Sequence, residues 1–235
     1  MNFSHGQDAI PSAVDRVRPI AAGQDFEELL QLHKFILALS FSLITAFSTA
    51  APIVSGNYDG LLVGVDRQGT LTGYFESSTG NGQFSCIFFV SGKLDNLKIR
   101  VDSWFPADRD PNEVIKGTIE ALPENGKPAI RVTLKEEHGG CWNVQHFASE
   151  PASFKLTEEG AWQAIRVVAV TKAYFYDDDL GARPRKAYVV KGNALRVFAW
   201  RSGRAQVECV NPEGKRTRGW ISERDLYSAQ SPVAK

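Results

Sequence analysis

One stretch of the chain concentrates side chains that could do chemistry, Glu136-Glu137-His138-Gly139-Gly140-Cys141-Trp142-Asn143-Val144-Gln145-His146. A metal site there would draw on His138, His146 and Cys141, but the spacing matches no familiar zinc pattern. A Cys–His nucleophile would need Cys141 free, with a lowered pKa, beside its base. In an oxidising compartment Cys141 would instead be consumed by a bridge to Cys86, closing a loop of ~55 residues. The expectation is therefore no metal, no cofactor and no catalysis. What remains is a polar loop with a Gly-Gly turn, in which Glu136, Glu137, His138, Trp142 and Asn143 are the side-chain types that contact a macromolecular partner.

Outside this stretch the chain has no Gly-rich phosphate loop, no Gly-x-Ser-x-Gly elbow and no His-Glu-x-x-His. Glu76 and Asp102 read as separate solvated carboxylates, and Trp104-Phe105-Pro106 reads as a plug at a strand end. A second set of contact residues comes from the C-terminal part, where Tyr174, Tyr176 and Trp220 would line an aromatic groove. Cys209, in Val207-Glu208-Cys209-Val210, reads as a small buried hydrophobe.

The elements that must carry these residues are short β-like runs between turn signals. Candidate strands are Tyr58 to Val65, Thr70 to Ser77, Gln83 to Gly92, Leu97 to Trp104, Glu113 to Ala121, Pro128 to Lys135, Trp142 to Phe147 and Ala152 to Leu156. Their links are short and polar, which forces sequential antiparallel pairing. Eight such strands close into an up-and-down barrel. In Gln83 to Gly92, Phe84, Cys86, Phe88 and Val90 share one face, and Ser85, Ile87, Phe89 and Ser91 the other, so neither face is fully polar.

The run Gly69-Thr70-Leu71-Thr72-Gly73-Tyr74-Phe75-Glu76-Ser77 with Gly80-Asn81-Gly82 resembles the second strand of avidin-type barrels, which implies a calycin-like shape for residues 57–157. From Ile165 to Tyr227 the chain resembles bacterial SH3-like domains of cell-envelope proteins. The matching pieces are Ala173-Tyr174-Phe175-Tyr176, Arg185 to Gly192, Leu195-Arg196-Val197 and Gly219-Trp220-Ile221. That resemblance implies a small barrel of five strands for residues 163–228, of a kind that binds peptides, peptidoglycan or partner proteins.

Of the 235 residues, 27 are basic and 27 acidic. The zero net charge removes the basic footprint expected of a nucleic-acid binder. Residues 51–160 hold 10 basic and 15 acidic side chains, and residues 161–235 hold 14 and 7. Phe35 to Phe47 is an apolar run shorter than a membrane span, preceded by His33-Lys34 and followed by Ser48-Thr49-Ala50, which reads as a secretory signal cleaved after Ala50, or as a membrane anchor if retained. The expected organisation is an extension and signal or anchor helix over residues 1–50, a calycin-like barrel over 51–158, an SH3-like domain over 159–228 and a tail over 229–235. The expected protein is periplasmic or secreted. Its acidic barrel would contact a macromolecule, a protein such as a cationic cell-wall hydrolase or a cell-wall component, and its basic module would attach it. The alternative is a small-molecule carrier using the barrel interior.

Overall fold

The computed structural model describes residues 53–95, 98–108 and 110–232. The segment 35–47 and the cleavage position after Ala50 lie outside the described residues. Among the described residues the regular structure is β throughout, apart from three short 3-10 turns.

Eight strands, β1 Gly56–Tyr58, β2 Leu61–Val65, β3 Thr70–Thr79, β4 Phe84–Asp95, β5 Lys98–Trp104, β6 Ile115–Ala121, β7 Ala129–Leu134 and β8 Ala152–Glu159, pair antiparallel in chain order. β1 pairs with β8 and closes the barrel. Two corrections to the expected strands cancel in the count. Tyr58 to Val65 is not one strand, because Asp59 (φ 46°) and Gly60 (φ 94°) turn the chain between β1 and β2. Asp-Gly tolerates the left-handed backbone of a two-residue hairpin turn, and the Asn57 side chain accepts the Gly60 N–H. Trp142 to Phe147 is not a strand either. Cys141–Asn143 forms a 3-10 turn, capped by Gly140 at φ 84°.

The interior is filled by rings. Phe75, Phe88, Phe147 and Phe154 pack with centroid separations of 5.0–5.7 Å between Phe75 and each of the others and between Phe88 and Phe147. Tyr58, Leu61, Ile99, Ile119, Ile130 and Val132 surround them, all buried. This cluster occupies the space that a carried ligand would need.

A second sheet follows, with β9 Ala164–Val167, β10 Lys172–Tyr176, β11 Pro184–Val190, β12 Ala194–Arg201, β13 Arg204–Val210 and β14 Arg216–Ser222 in the spatial order β11-β10-β14-β13-β12-β9. It has six strands against the five expected. Val168, Ala173, Phe175, Leu195, Val197, Val207 and Ile221 make its core. Pro184 opens the edge strand β11, where its missing N–H costs no ladder bond.

Barrel and second sheet form one compact unit. A third apolar cluster joins them, with Tyr74, Phe89 and Trp104 from the outside of the barrel against Trp162, Ile165 and Val167. This burial explains why neither face of β4 is polar. It also moves Trp104, which lies on the outer wall under the second sheet and not inside the barrel. Trp162 Nε1 donates to the Val63 carbonyl at 2.8 Å, and the Ile165 N–H donates to Thr72 Oγ1 at 2.8 Å. At Gly64 the two backbones come so close that a Cβ would stand 2.6 Å from Ala164 Cα.

Candidate functional site

Antiparallel order places the β3–β4, β5–β6 and β7–β8 links at the same end of the barrel, and the chemistry-bearing stretch is the last of these. Its course is fixed from three sides. Cys141 and Cys86 are bridged, both fully buried, with a sequence separation of 55. The Glu137 carboxylate turns inward and accepts the Phe147 N–H at 2.9 and 3.0 Å and the Ala148 N–H at 2.8 Å. Thr79 Oγ1 on β3 donates to the Asn143 carbonyl at 2.8 Å.

His138 is also turned in, only 8% exposed. Its ring stacks on Phe88 at 5.1 Å with 13° between planes, and Nε2 lies 2.6 Å from Ser103 Oγ on the inward face of β5. Burial pulls its pKa down to about 4, against a smaller opposing pull from the Glu137 charge. The ring is therefore neutral at pH 7 and acts as a polar stopper to the barrel mouth. His146 Nδ1 sits 3.7 Å from Glu137 Oε1, too long for a hydrogen bond, and the atom is buried without a partner.

Of the five side chains expected to meet a partner here, two do not face outward. Glu137 is spent on backbone amides and His138 on Ser103 and Phe88. Glu136, Trp142 and Asn143 are exposed. Trp142 is 64% exposed, its ring edge-on to His146 at 5.3 Å. A large exposed indole next to a buried disulfide is an apolar anchor held in place in advance.

Two further apolar side chains at this end are exposed, Phe84 at 43%, not singled out from the sequence, and Phe105 at 49%, expected there as part of a plug. Phe84 shares the inward parity of Cys86 and Phe88, but stands one step beyond the barrel mouth; the turn at Gly80-Asn81-Gly82 was the available signal. The links at this end also carry Asp108, Asp110, Glu113, Glu136 and Glu150 against Lys135 among the described residues, so this end of the barrel is acidic.

The second expected surface is only partly assembled. Tyr174 and Tyr188 pair at 5.8 Å, both exposed, with Lys172 Nζ 4.7 Å over the Tyr188 ring. Tyr176 faces the same way but is covered by the Arg204 guanidinium at 4.0 Å. Trp220 lies opposite Tyr176 in register and is 8% exposed, so it belongs to the wall and not to an open groove. The pair Glu76 and Asp102 does not meet: Tyr74 Oη donates to Glu76, and Lys116 pairs with Asp102.

Where barrel and sheet join, Arg196 is 5% exposed and holds Glu158 at 2.8 Å and Glu208 at 3.2 Å, and Arg216 reaches the same two carboxylates. Although burial works the other way, the two guanidiniums hold the Glu158 carboxyl below its usual range. The Arg196 guanidinium also lies 4.5 Å over the Trp162 ring. Cys209 is half-buried and unbridged, and burial raises its thiol pKa. No group of three or more metal-ligating side chains occurs among the described residues.

Comparison with protein-family models, with curated proteins and with solved structures gives no match for this chain.

Proposed function

We propose that the protein is a non-catalytic binder of the bacterial envelope, exported to an oxidising compartment, which grips a basic macromolecular partner with the closed end of its acidic barrel. The observation that carries this reading is Trp142, exposed on a link pinned by the buried Cys86–Cys141 bridge and by Glu137. A loose loop loses conformational freedom on binding; this one lost it on folding. The acidic rim favours a cationic target, of which a cationic cell-wall hydrolase is the concrete case, and charge of this kind acts on association rate and selectivity. A buried disulfide is consistent with a periplasmic or secreted protein. The second sheet, read as SH3-like with calycin-like as the class of the barrel, would serve as the attachment module through Tyr174, Tyr188 and Lys172.

The test is capture from envelope extract, followed by kinetics with the captured partner at two salt concentrations. Trp142→Ala should cost about 2 kcal/mol of binding, read as an off-rate about 30-fold faster. Glu136→Gln should slow association and flatten its salt dependence. Rates unchanged in both variants would overturn the reading.

A further inference from the structure

Beside the junction lies a cleft of about 530 Å³ whose walls come from both parts of the protein. Small-molecule sites favour such seams, where two rigid walls meet. Leu62 and Tyr74 of the barrel form its apolar floor, and the polar groups around it divide into two kinds. Glu76 accepts from Tyr74 through Oε2 alone, and Glu208 meets Arg196 and Arg216 through Oε1 alone. Each carboxylate keeps one oxygen without a partner among the described residues. Asn57, Asn193 and Asn211 each spend Oδ1 on a turn, accepting the N–H of Gly60, Val190 and Lys215 respectively. Their Nδ2 donors are left over.

The cleft thus offers neutral amide donors beside carboxylate acceptors over an apolar floor. An anion is disfavoured, because among the charged residues that line the cleft Glu76 and Glu208 outnumber Arg196. A bare ammonium would leave three amide donors unused. A sugar satisfies both kinds, since each hydroxyl can donate to a carboxylate while accepting from an amide, and its ring faces are apolar. We propose that this cleft is a binding site for a neutral saccharide of two or three units. It is independent of the barrel rim, and the two can fail separately.

Occupancy is read as protection against thermal unfolding, because Cys209, though it borders the cleft, packs against the core of the second sheet. The experiment follows the melting of the full, oxidised chain with the N-acetylglucosamine trimer or maltotriose added. One of the two should raise the melting temperature by about 4 °C at about ten times its dissociation constant. Asn57→Asp and Asn211→Asp keep the turn acceptor but remove the donor, so both should abolish protection with the fold retained, as should Glu76→Ala. Trp142→Ala should be protected like the wild type. The proposal is overturned if neither trisaccharide protects, if spermidine alone protects, or if protection survives all three cleft variants.

Discussion

Acid should find His138 before it finds any general weakness of the barrel. The folded protein refuses a proton there until a pH of about 4, whereas an unfolded chain takes one up near 6.5. Between these values the unfolded state binds more protons, so stability falls as pH drops through the window, is unaffected by this group above it, and has lost the whole contribution below it. At about 1.4 kcal/mol per pH unit the interval is worth about 3 kcal/mol. The cause is geometric: a cationic ring stacked on Phe88 would face a barrel interior with only Ser103 Oγ as its close polar partner. Denaturant unfolding followed by tryptophan fluorescence, at fixed pH values from 7.5 to 3.5, measures the slope. His138→Gln keeps an acceptor for the Ser103 hydroxyl but cannot titrate, and carboxylates common to both proteins cancel in the difference. Wild type should therefore lose about 3 kcal/mol more than the variant between pH 6.5 and 4. A difference that stays flat across the window, or an NMR titration of His138 centred at 6.5 or above, would refute the reasoning.

Reducing the Cys86–Cys141 bridge, or replacing both cysteines by serine, should cost about 4 kcal/mol on the chain-entropy model for a 55-residue loop, read as a lowered melting temperature; an unchanged melting curve would show that the loop holds without it. Arg196→Met removes the buried one of the two cations shared by Glu158 and Glu208 and should destabilise by about 3 kcal/mol in denaturant titration, while Arg216→Met, at an exposed position, should matter far less. Gly64→Ala forces a Cβ against the Ala164 backbone and should cost about 1–3 kcal/mol by calorimetry; wild-type stability in that variant would mean the joint gives way freely.

Barrel closure was legible because turn signals and short links leave antiparallel neighbours no other arrangement. Its strand count came from two errors that cancel. Asp59-Gly60 is among the strongest short hairpin signals and was read through, because the apolar residues on either side look like one continuous strand. Trp142 to Phe147 alternates like a strand, but Glu137 takes the amides of Phe147 and Ala148 that a ladder would need. The same carboxylate shows why the rim was half readable. Exposure of Trp142 follows from a Gly-Gly turn and a neighbouring bridge, whereas the inward turn of His138 depends on Phe88 and Ser103, far away in sequence, and that of Glu137 on backbone amides that carry no mark in the sequence. Trp104 escaped for a related reason: an apolar residue on the outside of a barrel strand is explained only by what covers it.

The third apolar cluster has a consequence for modularity. A chain cut between Glu159 and Trp162 would yield a closed barrel and an open six-stranded sheet, each still carrying half of a buried seam. The barrel piece would expose Tyr74, Phe89 and Trp104, and the other piece Trp162, Ile165 and Val167. Such surfaces seek partners in solution. The two halves are thus not beads that can be shuffled separately onto new chains. They share one buried face, and any rearrangement that parts them must first supply a substitute for it.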